Sequence, residues 1–262
     1  MPPSASAPPP AAPIDPQLLL RAYRHGIFPM ADTRDDPEVF WVEPRHRAIL
    51  LLDGFHCSRS LAKTLKSGRF HVTCNAAFAA VIDACAAPRR DTGETWISGR
   101  IRASYLALHA LGHAHSIECW RDSADGAQLV GGLYGVGFDR VFCGESMFSR
   151  EADASKVALS WLVAALRHAG ACLLDCQFMT DHLATLGAVE IPQERYLELL
   201  LAAQSGVAAD AAGVGAGGAE AAASGAAAGL PEGFGALLGA AKSAGFSSSP
   251  GNFIAQSLIQ TS

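Results

Sequence analysis

Two low-complexity segments confine the folded part of this 262-residue chain to residues 15–203. Residues 1–16 hold seven of the 14 prolines, and residues 204–229 hold 12 Ala and 7 Gly among 26 residues. Neither segment carries enough large apolar side chains to offset the entropy that is lost on ordering. We therefore expect a disordered tail over residues 1–14, an Ala/Gly-rich tract over 204–229, and a separate C-terminal segment over 230–262.

Charge, cysteine content and hydropathy exclude several classes of protein. The net charge is −5, so the chain as a whole is not a polycation that coats nucleic acid. Its seven cysteines form no C-x-x-C pair, which indicates reduced thiols in a cytoplasm. The apolar stretches fall far short of the roughly 20 residues of a membrane span, and the N-terminus has no signal-peptide pattern. We expect a cytoplasmic protein that does not enter a membrane.

Capping residues and glycines divide residues 15–203 into helices and strands. Asp15 with Pro16 begins a helix that Gly26 ends, because an acidic N-cap before proline is a strong start signal. Three further helices are predicted to begin at the capping residues Ser58, Asn75 and Ser98. The longest helix is predicted over Ser155–His168, after alternating strands and before an apolar strand over Ala171–Cys176. This order suggests the α+β class, with a small N-terminal domain over 15–50 and an acyltransferase-like domain over 51–203.

Two polar residues stand on the apolar strand near residue 175. Asp175 and Gln177 are two positions apart, so their side chains lie on one face of a strand. A shared site would hold both of them. The alternative is that Asp175 caps a loop and Gln177 lies in solvent at the strand end, and spacing does not decide between these readings.

An acid and a hydroxyl follow a second predicted strand, at Glu145 and Ser146. A hydrolase nucleophile elbow requires glycine where Phe148 stands, so this pattern argues against a catalytic serine at 146. Glu145 is the better candidate, as a buried and hydrogen-bonded carboxylate. The alternative is an ordinary surface acid at the end of a strand.

Neither metal nor nucleotide binding is indicated by the motifs. His109, His113 and His115 cluster, but without ligand spacing, so core or surface histidines are the stronger reading. The glycine-rich run Gly131–Gly137 lacks both G-x-G-x-x-G and the P-loop pattern. Its glycines instead indicate a strand bulge or the close approach of a ligand.

A basic stretch interrupts the otherwise acidic chain. Residues 45–102 contain ten Lys or Arg against four acids, a local net charge of +6. A phosphate-binding face would require this asymmetry, although a solvated helical surface produces the same pattern. Trp41, Trp96 and Phe28 lie in or beside it, where they either stack on a nucleic-acid base or belong to the core.

Several short motifs occur in one order along the chain, and together they are far more specific than any one alone. They are Gly26–Met30, Thr95–Ile97, Leu111–Glu118, Leu129–Val136, Phe142–Ser149, Ala154–Lys156 and Leu174–Gln177. In this order they resemble the leucyl/phenylalanyl-tRNA-protein transferase family. The resemblance covers roughly residues 15–203 and, more weakly, the end of the chain.

The resemblance implies a function and a fold. Such an enzyme moves Leu, Phe or Met from Leu-tRNA, Phe-tRNA or Met-tRNA to proteins that begin with Arg or Lys, which marks them for degradation. It implies a GNAT-like catalytic domain after a small N-terminal domain, and no metal or other cofactor. We expect a monomer.

The resemblance also implies site residues, by motif. Asp175 and Gln177 match the proposed catalytic pair, and Glu145 matches an acid of the same site. Trp96, and by position Met30, match the adenosine-binding positions. The side-chain pocket matches Leu133, Met147, Leu159, Leu162 and Leu174. The basic residues that we expect to contact tRNA phosphates are Arg59, Lys63, Lys66, Arg69, Arg89 and Arg90.

Two other functions remain open at this point. One is an acyl-CoA-dependent N-acetyltransferase on a similar fold, although no Q/R-x-x-G-x-G/A pyrophosphate loop opens a helix here. The other is a truncated tRNA-binding relic without activity, because a Pro/Ala tail stands where the family usually has a further N-terminal segment.

Overall fold

The computed structural model describes residues 12–88, 95–205 and 229–259. The helices of these segments are α1 (Pro16–Arg24), α2 (Arg59–Lys66), α3 (Phe78–Cys85), α4 (Gly99–Ala110), α5 (Ala154–His168), α6 (Asp181–Ala184), α7 (Gln193–Ser205), α8 (Leu230–Ser243) and α9 (Pro250–Ile259). The strands are β1 (Phe28–Met30), β2 (Phe40–Val42), β3 (His46–Leu50), β4 (His71–Cys74), β5 (Ala114–Ser123), β6 (Gly126–Phe138), β7 (Val141–Ser149), β8 (Leu173–Gln177) and β9 (Val189–Pro192). The chain therefore has the α+β composition that the sequence predicts.

One seven-stranded sheet organises the molecule, in the order β4-β5-β6-β7-β8-β3-β9. All neighbouring strands are antiparallel except β7 and β8, which are parallel and are joined by α5 as the crossover helix. Strands β1 and β2 form a separate two-stranded sheet. Strand β3 lies before residue 51, yet it pairs with β8 and β9 inside the large sheet.

The large sheet separates two apolar cores. The first core contains α5 together with the inward faces of α2, α8 and α9. The second contains apolar residues of α1, α3, α4 and α7. The C-terminal helices therefore take part in the fold, because Leu237 and Ile254 are completely buried against the first core.

Two bulges interrupt the strand pairing near the middle of the sheet. Between β6 and β7, Tyr134 pairs with Ser146 and Gly135 pairs with Gly144, so Glu145 is the extra residue. A Cβ atom at Gly135 would collide with the Cys143 carbonyl and the Phe142 ring, which explains the glycine. The glycine-rich run therefore permits the close approach of β7, and the extra residue of the bulge belongs to β7 rather than to the run itself.

The second bulge lies between β3 and β8. Ala48 pairs with Gln177 and Ile49 pairs with Asp175, which leaves Cys176 as the extra residue. Gln177 has a φ of 63°, a left-handed backbone conformation that is uncommon for residues other than glycine. Bulges turn side chains to new directions and are frequent beside active sites. Here they turn Glu145 and Gln177 toward each other.

The structure differs from the sequence prediction at two element ends. Ile14, which we placed in the disordered tail, is buried, and its N–H donates to Ser104 Oγ. Helix α3 begins at Phe78 rather than beside Asn75, because the Glu118 carboxylate accepts the N–H groups of Ala76 and Ala77 at this terminus. The remaining predicted tail and tract lie largely outside the described residues, at 1–11 and 206–228.

None of the described helices is long and apolar enough to cross a membrane. The seven cysteines, which all lie in described segments, form no disulfide bond.

Candidate active site

The candidate site lies where the parallel strands β7 and β8 separate. Their pairing ends at Cys143 and Asp175, and beyond this point the strands no longer share main-chain hydrogen bonds. The side chains of Glu145 and Gln177 bridge the opening, with 2.8 Å between Gln177 Nε2 and Glu145 Oε1. Asp175, Gln177 and Glu145 are all buried, so the alternatives in which Gln177 lies in solvent and Glu145 is a surface acid are wrong. Asp175 does accept the main-chain N–H of Gln177, as a capping residue would.

Asp175 is completely surrounded by hydrogen-bond donors. Arg47 donates from Nε to Oδ1 at 2.8 Å and from Nη2 to Oδ2 at 2.6 Å. The Tyr196 hydroxyl donates to Oδ2 at 2.9 Å, and the main-chain N–H of Gln177 donates to Oδ1 at 2.8 Å. This bidentate pair gives the permanently charged and buried Arg47 guanidinium a partner of opposite charge.

Glu145 has no cation within ion-pair distance among the described residues. It accepts hydrogen bonds from Tyr23, Tyr105 and Gln177, at 2.7, 2.7 and 2.8 Å respectively. Burial raises the pKa of Glu145 to about 7, and the three hydrogen bonds only partly oppose that rise. Glu145 is therefore able to exchange a proton near neutral pH.

The Glu145 cluster contains three short oxygen contacts. Tyr23 and Tyr105 each contact one carboxyl oxygen, and their hydroxyls also contact each other. Each of these hydrogen bonds needs one proton between its two oxygens, and the two hydroxyls supply only two. A proton on Glu145 supplies the third. Burial raises the pKa of both tyrosines well above their usual value, and the charge of Glu145 is the second cause of that rise. The hydroxyls therefore stay protonated while Glu145 titrates.

Two further hydroxyl groups in this region lack partners among the described residues. They are the buried Tyr134 Oη and Ser146 Oγ, which belong to residues paired across β6 and β7 beside Glu145. A buried hydroxyl without a hydrogen bond is unfavourable in the isolated protein.

The five predicted pocket residues lie together on the other face of the sheet. Leu133, Met147, Leu159, Leu162 and Leu174 belong to the core between the sheet and α5, and Leu133 pairs directly with Met147. Met147 also lines an open cavity of about 390 Å³, whose other lining residues are Phe148, Ser149, Asp153, Ser155, Lys156 and His182. The four leucines are packed rather than exposed to this cavity.

The structure also brings together the two predicted adenosine-binding residues. Trp96 and Met30 are both partly buried against the second core. The main-chain N–H of Ala31, next to Met30, donates to the Trp96 carbonyl at 3.4 Å. Residues 26–31 and the turn before α4 therefore lie side by side near the opening.

The predicted phosphate-binding residues fall into three groups. Arg59, Lys63 and Lys66 lie on the exposed face of α2, opposite its buried Leu61 and Leu65. Arg69 is exposed but forms an ion pair with Glu151 at 2.5 Å, where Arg121 also binds. Arg89 and Arg90 lie outside the described residues. The basic face is thus centred on α2.

The histidines have separate structural surroundings. His109 stacks on Phe78, and His115 hydrogen-bonds to Asn75. Burial lowers the pKa of His115 to about 4. Within the described part of the chain, no group of His, Cys, Asp and Glu has the arrangement of a metal site.

Four residues of the site escaped the sequence reasoning: Arg47, Tyr196, Tyr23 and Tyr105. Arg47 was counted with the basic surface, but only 1% of it is exposed. One signal was available, since Arg47 directly precedes the apolar run Ala48–Leu52, and a charge in a buried strand requires an opposite charge nearby. For the tyrosines, only the packing of α1, α4 and α7 brings their hydroxyls to the carboxylates.

Comparison with known proteins assigns the family. The model "Leucyl/phenylalanyl-tRNA protein transferase" matches residues 49–201, and the model of that family's N-terminal domain matches residues 12–45. The chain is 68% identical to the leucyl/phenylalanyl-tRNA–protein transferase of Novosphingobium aromaticivorans, over 95% of this chain and 97% of that protein. It is 59% identical to the one of Zymomonas mobilis, over 73% and 70% of the two chains.

Among solved structures, FemX is similar with a TM-score of 0.45 and 12% identity over 70% of each chain, too distant to carry an argument. The first of the two family models covers Asp175, Gln177 and Glu145 together with strands β7 and β8, whereas Arg47 lies between the two matched ranges. On this evidence, the chain belongs to the leucyl/phenylalanyl-tRNA protein transferase family.

Proposed function

We propose that this chain transfers Leu or Phe, and also Met, from aminoacyl-tRNA to the α-amino group of proteins that begin with Arg or Lys. The single observation that carries the proposal is the buried cluster of Asp175, Gln177 and Glu145 in a chain of this family. We further propose that it is a cytoplasmic monomer with a GNAT-like catalytic domain. The parallel pair β7 and β8, which separates at the site, supports that fold.

The chemistry requires little activation from the protein. The aminoacyl ester is already activated, and a free α-amino group with a pKa of roughly 7.7–8.0 is partly neutral near pH 7. In the reaction the amine nitrogen bonds to the ester carbon, the bond to the ribose oxygen breaks, and one proton passes from nitrogen to that oxygen. The protein must therefore position the amine, stabilise the tetrahedral oxyanion and handle one proton.

Gln177 is the residue best placed to orient the amine. Its Nε2 is held by Glu145, while no described group donates to its carbonyl oxygen, which leaves that oxygen ready to accept the amine N–H. Asp175 contacts the main-chain N–H of Gln177 rather than its side chain. Asp175 then fixes the conformation of Gln177, and Glu145 holds the transferred proton.

The aminoacyl-tRNA donor would lie along the residues predicted to bind its adenosine, its phosphates and the transferred side chain. Trp96 and Met30 would contact the 3′-terminal adenosine, and the exposed cations of α2 would hold phosphates without reading much sequence. The open cavity that Met147 lines, beside the packed leucine cluster, would receive the transferred side chain. An apolar pocket discriminates by only about 1–3 kcal/mol per methylene, which is compatible with Leu, Phe and Met as joint substrates.

The direct test is transfer of radiolabelled Leu from Leu-tRNA to a protein that begins with Arg, against the same protein beginning with Ala. We expect label on the Arg protein only, without added ATP or acetyl-CoA. Gln177→Ala should lower the rate about 10²-fold or more, while binding of Leu-tRNA is retained.

The matched control is Gln193→Ala, because Gln193 is a partly exposed glutamine whose side chain bonds Glu43 rather than a residue of the cluster. It should leave the rate unchanged. Tight tRNA binding without any transfer by the wild-type protein would indicate the binding relic, and acetyl-CoA binding would favour the N-acetyltransferase. Full activity of Gln177→Ala would reject the assigned role of this side chain.

A further inference from the structure

We infer that Arg47 is a positioning residue of the transfer site, which ties the catalytic strand β8 to the donor-binding segment Gly26–Met30. The inference rests on the proposed function and adds a residue to its site. Arg47 lies at the start of β3, the strand that pairs with β8 on one side and β9 on the other. Its side chain is almost fully buried.

Toward β8, Arg47 fixes the conformation of the catalytic pair. Its Nε and Nη2 bind the two oxygens of Asp175 in a parallel fork. Asp175 Oδ1 in turn accepts the main-chain N–H of Gln177, whose φ of 63° departs from the strand conformation. Since a left-handed residue persists only where its surroundings hold it, the Arg47–Asp175 pair stabilises this turn of Gln177.

Toward the N-terminus, Arg47 holds the start of the segment that contains Met30. Its Nη1 donates to the Gly26 carbonyl at 2.9 Å. The guanidinium lies between two aromatic rings, 4.8 Å from the centroid of Phe28 and 4.5 Å from that of Tyr196. Phe28 belongs to β1, so one planar group contacts both the donor segment and the catalytic strand.

This set of contacts is specific to arginine. A lysine ammonium keeps the charge, but it cannot bind both Asp175 oxygens, reach Gly26 and stack between two rings at once. A buried ion pair is by itself weak evidence for stability, because apolar residues of similar volume often replace such a pair without loss. The simultaneous contact with both halves of the site is what assigns Arg47 a positioning role.

The test compares Arg47→Lys with Arg24→Lys. Arg24 is a suitable control because it also contacts both oxygens of an aspartate, Asp139, and lies over a ring, Phe138, but at the surface. Both changes preserve the net charge, so long-range attraction of tRNA is unaltered. We measure kcat and KM for Leu-tRNA in the transfer assay, equilibrium binding of Leu-tRNA, and the unfolding midpoint.

We expect Arg47→Lys to lower kcat about 10²-fold and to raise KM and the dissociation constant for Leu-tRNA, at a temperature where the variant is fully folded. Arg24→Lys should leave all three constants unchanged. A purely structural role would lower the unfolding midpoint of Arg47→Lys without changing the constants of the folded protein. That outcome, or equal effects of the two changes, overturns the inference.

Tyr196→Phe provides a second test if Arg47→Lys does not fold. It removes the hydroxyl that donates to Asp175 Oδ2, yet it keeps the ring under the guanidinium. We expect a smaller fall in kcat with KM for Leu-tRNA unchanged, and an unchanged kcat would overturn the inference. A wild-type protein without transfer would refute the proposed function instead, and Leu-tRNA binding by Arg47→Lys and Arg24→Lys would then still test the role of Arg47.

Discussion

Two buried carboxyl groups lie on either side of Gln177, and their surroundings are opposite in kind. Asp175 is bound by a guanidinium, a hydroxyl and a main-chain N–H, so its charge is compensated. Glu145 is bound by two hydroxyls and an amide, none of which carries a charge. Pairs of titratable groups in contrasting environments divide structural and proton-transfer roles between them. We therefore propose that Asp175 positions Gln177 and that Glu145 exchanges a proton.

The largest effect that tests this contrast is expected from Asp175→Asn. The change leaves Arg47 buried without a counter-charge, and removal of one partner from a buried pair lowers the free energy of unfolding by about 3–5 kcal/mol. Urea denaturation at pH 8 measures the loss. Glu145→Gln is the matched change, and because no cation depends on Glu145, it should not destabilise the protein at this pH. Equal losses of unfolding free energy in the two variants would show that the surroundings of the two carboxyl groups do not differ in this way.

A pH-dependent effect is expected from Glu145. Its pKa of about 7 lies above the value of the unfolded chain, so burial favours the protonated form. The resulting stabilisation is fully present below the unfolded pKa of about 4.3 and is lost as the pH rises through about 7. Across this window, wild type should lose about 3 kcal/mol of unfolding free energy relative to Glu145→Gln. Urea denaturation from pH 4.5 to 8 measures the difference, and parallel curves for the two proteins would exclude the raised pKa.

The smallest effect is expected from Tyr134→Phe. The Tyr134 hydroxyl is buried without a partner in the described structure, so its removal should leave stability unchanged or raise it by about 1 kcal/mol. Thermal unfolding gives this value. Tyr105→Phe is the control, because the Tyr105 hydroxyl binds Glu145 and its loss should destabilise the protein. A destabilised Tyr134→Phe would show that its hydroxyl has a partner in solution.

Local signals predicted the elements of the fold well. The helix that begins at Pro16 is capped by Asp15, whose carboxylate accepts the N–H groups of Gln17 and Leu18. Ser58 and Ser98 cap their helices as predicted. Each of these signals acts over about four residues, which is why the sequence alone contains it. Asn75 shows the limit, since its side chain accepts the N–H of Ser116 instead of capping α3, and Glu118 from another strand binds the N–H groups that precede the helix.

For the candidate site, too, the sequence predicted some features and could not predict others. The residue types and their motifs pointed to Asp175, Gln177 and Glu145, because polar groups stand out in apolar strands. The sequence could not predict the left-handed backbone of Gln177, since that conformation depends on the bulge between β8 and β3. On a regular strand, Asp175 and Gln177 would lie on one face because they are two residues apart. In the structure, the bulge at Cys176 interrupts that regular strand, and it directs Gln177 into the cluster with Glu145.

What the sequence determined by itself is the family, the α+β class and the three polar residues of the site, because these depend on residue identity and local pattern. What only the tertiary structure decided is the state of the two carboxyl groups. Arg47 lies 128 positions before Asp175, and only the placement of β3 beside β8 makes them an ion pair. Glu145 receives no such partner, so burial rather than charge controls its proton.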